Sequence, residues 1–537
     1  MPMPDSRTLP ALLAEMAFRH LDRTFVIDGE RRLSYAGFQA ETRSLAKGLY
    51  ALGVRRGDKV AVLMGNRTEW LLTDFAVTML GATLVAVNTW WKSRELHHAL
   101  ELCDVSVLVM ADRYLTHDYV AALDEMGDLG AALPLLRHVV CLGDAGPPGA
   151  TNFADLPALG RDVPDAAIDA AQAAVRPDDA AYLLFTSGST ARSKAVTLVH
   201  GGLVRNAFGI GERLHLTGQD RLLLVVSLFW SFACANGLLA VMTHGGSVVL
   251  SDKFDAAETI ALLARERCTL FYTMPNMALA LHGHPDRARH DLSSLRTGIC
   301  LPQALAPMID IGAREMTVCY GLTECYGNSA VVDCRAPLAT RTRITGMALP
   351  DTELEIVDPA TRLLLPVGEM GEIRLRGFVT PGYYKDPERT AEAIDADGWF
   401  YTGDLAALEP DGGMLFRGRL KEMVKTGGIN VAPAEVEELL QAHPAVRQAI
   451  VVGIPDLERD EVLAAMVVPE PGVRVDVEEL VRFCRARVAI YKVPRRIVLV
   501  RPDEVPLTDT GKVAKRRIQE VLATAEPQGK RPMSSIA

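Results

Sequence analysis

Ala181-Tyr182-Leu183-Leu184-Phe185-Thr186-Ser187-Gly188-Ser189-Thr190-Ala191-Arg192-Ser193-Lys194 decides how this 537-residue chain is read. Its first five residues are a short apolar run of the kind that forms a buried strand. The rest gathers threonine and serine hydroxyls around one glycine and closes on a lysine. Backbone N–H groups and hydroxyls in such a loop can surround phosphate oxygens, and the lysine adds positive charge. The glycine-lysine spacing of a Walker loop is absent. A plain polar surface loop has the same composition, so the rest of the chain has to separate the two readings.

Outward from that loop, short apolar runs alternate with amphipathic stretches. Lys59–Met64 reads as a buried strand, Glu69–Leu80 as a helix stopped by Gly81, and Thr83–Val87 as the next strand. A helix over Glu95–Cys103 and a strand over Val105–Met110 continue the rhythm, which implies βαβ units and mainly parallel sheets. A Pro/Gly/Ala-rich, poorly periodic stretch follows over 143–178. Strands resume at Ala181–Phe185, Arg221–Leu228, Ser247–Leu250, Thr269–Thr273 and Met316–Tyr320. From 351 to 420 alternating segments such as Glu353–Val357 and Glu372–Arg376, cut by Gly and Pro turns, predict an antiparallel β unit. After about residue 420 a compact α+β unit is expected, with helices at Pro433–Ala442 and 476–487 and strands near 448–453 and 463–468.

The expected fold is therefore α/β. A large N-terminal region over 1–420 holds two βαβ subdomains and a β unit. A small mobile α+β domain spans 421–525, and 526–537 is a polar, frayed tail. At 537 residues the chain is too long for one core, and with 49% hydrophobic residues it has ample material for several. A net charge of −10 argues against nucleic acid as a partner but leaves room for a nucleotide at a local site. The nine cysteines are odd in number and scattered, with no C-x-x-C pair, which predicts reduced thiols rather than disulfides or zinc. The N-terminal residues lack a signal-peptide pattern and no apolar run reaches the length of a membrane span. A cytoplasmic location is expected; the oligomeric state is not legible.

Four further segments carry chemistry: Tyr320-Gly321-Leu322-Thr323-Glu324; Gly398-Trp399-Phe400-Tyr401-Thr402-Gly403-Asp404; Gly418-Arg419-Leu420-Lys421-Glu422 running on to Val424-Lys425-Thr426-Gly427-Gly428; and Pro506-Leu507-Thr508-Asp509-Thr510-Gly511-Lys512. With the phosphate loop they match, in order, the motifs of the adenylate-forming superfamily of acyl-CoA synthetases, adenylation domains and luciferases. The chain most resembles the acyl-CoA synthetases, and the resemblance covers nearly its whole length. The family loop reads T-S-G-S/T-T-G-x-P-K-G.

The resemblance implies an ATP- and Mg²⁺-dependent enzyme that turns a small carboxylic acid into its adenylate and passes it to coenzyme A. It assigns ATP binding to Thr186, Ser187, Gly188, Ser189, Thr190, Lys194, Tyr320, Asp404 and Arg419. Tyr320 would stack on adenine, and Asp404, with acceptors for two O–H donors, would take the ribose hydroxyls. Thr323 would contact the α-phosphate and Glu324 would be the metal-associated acid, an oxygen donor suited to a hard cation. Lys512 would neutralise charge that builds during adenylation. Lys421 would be the hinge of the small domain, and Lys425, Gly427 and Gly428 would line the thiol channel for coenzyme A.

The pattern also breaks. Ala191, Ser193 and Ala195 stand where the family loop has Gly, Pro and Gly. Trp230 replaces a histidine in Ser227-Leu228-Phe229-Trp230-Ser231-Phe232-Ala233, normally P-L-F-H-x-F-G. Trp230, Phe232, Gly298 and Cys300 are expected at the acid pocket, and a tryptophan there favours a planar or compact acid. These departures leave other acceptors open: an amine, a carrier protein, or diazotase-like activation of nitrite. A nucleotide-binding protein with reduced catalysis is the non-enzyme alternative.

Overall fold

Val105–Ala111 is buried along all seven residues and Thr83–Ala86 along all four. Strands buried on both faces need helices on both sides of the sheet, the condition under which parallel pairing is found. The computed structural model of the chain has that arrangement, and it describes residues 2–143, 145–186, 194–426, 429–456, 459–488, 490–508 and 512–524. The expected tail at 526–537 lies outside them.

A seven-stranded sheet runs Lys194–Val199, Ala180–Thr186, Thr83–Ala86, Lys59–Leu63, Val105–Ala111, His138–Leu142, Thr151–Asn152. Its first pair is antiparallel and the next five pairs are parallel. An eight-stranded sheet runs Ala330–Val331, Glu315–Tyr320, Thr297–Cys300, Leu270–Phe271, Arg221–Leu224, Ser247–Leu250, Thr24–Asp28, Arg31–Ser34, parallel except at its two ends. The Thr68–Met79 helix is buried over almost its whole length. On it Asp74 is fully buried and accepts a hydrogen bond from the Tyr182 hydroxyl at 2.8 Å. Burial pushes that carboxyl up to about 8, against the lowering effect of the Tyr182 bond.

By contacts the chain forms two compact units, Met1–Leu354 with Leu375–Phe400, and Glu355–Arg374 with Tyr401–Ala537. The boundary expected at 420 falls inside the second. There Phe400–Leu408 pairs antiparallel with Met414–Arg419 within a four-stranded sheet, as the alternating pattern predicted. A five-stranded sheet follows, with Asp460–Pro469 at its centre. Alternate residues of that strand serve two cores. Leu463, Ala465 and Val467 pack with Val436, Leu440 and Leu480; Val462, Ala464, Met466 and Val468 pack with Ile518 and Leu522. Among the described residues no helix is long and apolar enough to cross a membrane.

The poorly periodic stretch 143–178, for which no element was predicted, contains the helix Asp165–Ala174. Six of its ten residues are alanine and Ile168 is its one buried residue, so propensity rather than an apolar stripe makes it helical and periodicity gives no signal. The strand expected over Arg221–Leu228 ends at Leu224. Asn66 takes over the hydrogen bonding there: its Nδ2 donates to the Leu224 and Val226 carbonyls, and its Oδ1 accepts from the Leu228 N–H.

All nine cysteines are free and buried. Gly298 shows why one position admits no side chain: with φ +156°, an added Cβ would lie 1.9 Å from the Phe271 carbonyl oxygen on the neighbouring strand.

Candidate active site

The strand Ala180–Thr186 and its return strand Lys194–Val199 are in register, Thr186 opposite Lys194. The two ends of the phosphate loop therefore stand side by side. Ser187, Gly188, Ser189 and Thr190, with the departures Ala191 and Ser193, lie outside the described residues; the third departure, Ala195, is buried in the return strand. That strand is also met by residues 382–384. Thr197 donates to the Gly382 carbonyl at 3.1 Å, Val196 bridges Tyr383, and Tyr384 donates to the Ala195 carbonyl at 2.8 Å.

The strand Glu315–Tyr320 leads Tyr320, buried at its end, into the short 3-10 turn Thr323–Cys325. Tyr326 closes that turn at φ 60°, a conformation unusual for a bulky residue. Its ring fills the space above Gly202, where an added Cβ would meet it at 2.2 Å. Thr323 shares a hydroxyl–hydroxyl bond with Ser231 at 3.1 Å. Glu324 is buried; its carbonyl accepts from the Thr380 N–H at 2.7 Å, and its Oε1 accepts from the Tyr383 hydroxyl at 3.0 Å. The Lys194 ammonium lies over the Tyr383 ring, 4.5 Å from its centre. Tyr383 thus touches both the lysine that ends the phosphate loop and the acid of the next motif. Sequence reasoning missed it, because Gly382-Tyr383-Tyr384 reads as ordinary strand and turn material.

The four residues expected at the acid pocket have different surroundings. Trp230 is half-buried in a cluster with Phe229 and Trp90, its ring centre 5.4 Å from each. Phe232 opens a π-helix over Phe232–Leu238 and packs on Tyr272 at 4.9 Å. Gly298 and Cys300 are buried in one strand of the eight-stranded sheet. The Cys300 thiol donates to the Thr317 carbonyl at 3.5 Å, and burial pushes it far above the usual thiol range.

In the second unit, Asp404 and Arg419 face each other across two paired strands, Nε to Oδ1 3.2 Å, with Asp404 buried. Lys421 lies in the 3-10 turn Leu420–Glu422. Lys425 is exposed and its N–H donates to Glu461; Gly427 and Gly428 lie outside the described residues. Lys512 has its N–H on the Thr508 hydroxyl and its carbonyl on the Thr508 N–H. The side chain keeps a solvent-open surface, yet desolvation by the surrounding protein, and then the Arg419 charge, hold its ammonium below the usual lysine range. Lys515 bonds Glu422 at 2.8 Å and lies 3.6 Å from Glu437. Burial would lower its pKa, but the Glu437 and Glu422 carboxylates outweigh that and raise it. The helix that follows Lys512 is in this way tied to the turn that holds Lys421.

Residues 13–384 match the AMP-binding enzyme family, and residues 435–512 match the AMP-binding enzyme C-terminal domain. The chain belongs to this family. It is similar to the mitochondrial medium-chain acyl-CoA ligase ACSF2 of Danio rerio, 34% identical over 541 residues, covering 96% of this chain and 88% of that one. It is also similar to a feruloyl-CoA synthase of an Amycolatopsis species, 36% identical over 501 residues, covering 92% and 95%. Among solved structures, the anthranilate CoA ligase AuaEII in complex with anthranoyl-AMP superposes with a TM-score of 0.83 at 26% identity, covering 97% of this chain and 98% of that one.

Proposed function

We propose that the chain is an AMP-forming acid–CoA ligase whose active-site groups divide as follows. The reaction has two halves: ATP and a carboxylic acid give the acyl-adenylate and pyrophosphate, and coenzyme A then takes the acyl group and releases AMP. Lys194 and the loop before it hold phosphate, Tyr320 takes the adenine, and Asp404 takes the ribose hydroxyls beside Arg419. Thr323 faces the α-phosphate. Lys512 stands as a fixed cation for the charge that develops between carboxylate and α-phosphate, where such a group lowers the barrier most.

Glu324 is the residue that would hold Mg²⁺. A carboxylate oxygen is the donor a hard cation prefers, and the Tyr383 hydroxyl holds Oε1 at 3.0 Å. When bound, the cation would screen the phosphate charge that an incoming carboxylate has to approach. Lys421 is the hinge between a body over 1–420 and a mobile domain over 421–525. Lys425 and the glycines after it line the coenzyme A path. The aromatic cluster of Trp90, Phe229 and Trp230 supports a compact or planar acid. A compartment that keeps thiols reduced suits the nine buried cysteines, and we place the reaction in the cytoplasm.

The single observation that carries this reading is the Lys194–Tyr383–Glu324 chain of contacts, which brings the phosphate-loop lysine and the metal-associated acid onto one tyrosine. The test is a panel of acids with ATP and each of coenzyme A, an amine, a carrier protein and nitrite. The expected products are AMP and pyrophosphate, with a thioester formed when coenzyme A is present. ADP in place of AMP would overturn it.

A further inference from the structure

Tyr383 has contacts that a packing residue does not need. Its ring is nine-tenths buried, and its backbone bridges Val196 two residues beyond Lys194. The Lys194 ammonium sits over the ring face, and the hydroxyl donates to Glu324 Oε1 at 3.0 Å. The neighbouring residues lock this placement. Thr380 donates from its N–H to the Glu324 carbonyl, and from its hydroxyl to the Thr197 carbonyl at 2.6 Å. Residues 380–384 thus fasten the turn carrying Glu324 to the strand leaving the phosphate loop.

We infer that Tyr383 is a positioning residue that sets the orientation in which Glu324 presents its carboxylate to the divalent cation of the ATP complex. The inference rests on the reading of Glu324 as the metal-associated acid. A carboxylate on a short 3-10 turn has free rotation about its last bond, and a ligand that rotates gives up part of its affinity when a cation fixes it. One hydrogen bond to Oε1 removes that rotation in advance and leaves Oε2 defined in direction. Groups that hold a metal ligand from behind in this way typically contribute about 10–100-fold to metal affinity or activity. The phenol is a dependable donor for this bond. The ring itself is held in place under the Lys194 ammonium, 4.5 Å from its centre.

The test uses the full chain with ATP and Mn²⁺ as a paramagnetic stand-in, with unbound Mn²⁺ counted by electron paramagnetic resonance. Tyr383→Phe keeps the ring under Lys194 and removes only the hydroxyl. It should weaken Mn²⁺ binding by about tenfold while metal-free ATP binds as in the wild type. In a Glu324→Gln background the same substitution should cost nothing further. Glu324→Asp, which draws the carboxylate back from the phenol, should likewise make Tyr383→Phe almost silent. Wild-type Mn²⁺ affinity in Tyr383→Phe, or an equal loss with and without the Glu324 carboxylate, would overturn the inference and return Tyr383 to packing. If Glu324→Gln alone leaves Mn²⁺ affinity unchanged, the reading of Glu324 itself fails, and the inference falls with it on a result that the single variant reports by itself.

Discussion

Asp74 lies on a buried helix, and burial raises its carboxyl from 3.8 to about 8. The folded chain therefore keeps a proton that the unfolded chain gives up near the ordinary value. Stability from this group is complete below about pH 4 and is lost as pH rises through about 8. Asn at this position still offers Tyr182 an oxygen and cannot ionise. Between about pH 5 and about pH 9, urea unfolding should show the wild type losing ~2–5 kcal/mol against Asp74→Asn. Parallel stability curves would refute this. Lys512 is the second residue-scale case. Lys512→Ala should slow adenylate formation ~10²–10³-fold, the usual cost of removing one group that meets developing charge. Thioester formation from a supplied acyl-adenylate should continue, and stopped-flow measurement of both steps checks the contrast. Of these residues Lys512 could be singled out from sequence, because its motif is local, and its role rests on the test above. Asp74 could not: on an apolar helix it reads as one polar interruption, and its partner Tyr182 is more than 100 positions away.

At the scale of elements, the strands were read from apolar runs and their ends from turn residues, and that reading failed where a side chain replaced the backbone. Asn66 is such a case, supplying from afar the bonds that stop one strand at Leu224. The same limit hid Tyr383, since nothing local marks a tyrosine that will meet an acid from another element. Gly298 shows how tightly two parallel strands are set. Gly298→Ala should cost on the order of 2–4 kcal/mol, from the clash with the Phe271 carbonyl together with the unfavourable φ. Thermal unfolding will show it, and an unchanged midpoint would mean that the strands can separate at no cost. The cluster of Trp90, Phe229 and Trp230 is the element-scale feature that bears on substrate choice. Trp230→Ala opens it, and kcat/KM for bulkier acids should rise relative to compact ones. Selectivity that stays the same would place Trp230 outside the acid pocket.

At the scale of the molecule, ordered motifs spread over the chain made the family legible, because each is a short local pattern and their order is hard to match by chance. The alternating pattern marked 351–420 as one antiparallel β unit, but nothing in it showed that Glu355–Arg374 and the strands from Tyr401 group with the residues after 420. The proposed hinge can be tested directly. Lys421 lies in a 3-10 turn, and proline there removes an N–H and fixes φ. Lys421→Pro should slow thioester release more than adenylate formation, because only the passage between the two steps requires backbone rotation. Equal slowing of both half-reactions would remove Lys421 as the hinge.

The first unit is built from two stretches, Met1–Leu354 and Leu375–Phe400, and the later one covers the outer side of the edge strand Lys194–Val199. A ribosome emits the chain in one direction at ~5–20 residues per second. Each nascent copy therefore spends on the order of ten seconds or more with that edge open after the strand itself has been made. An uncovered edge is a template for another chain's strand. On crowded polysomes, where neighbouring copies expose the same edge together, synthesis itself is the stage at which this protein is most exposed to aggregation. A message truncated before codon 375 would keep every copy in that state.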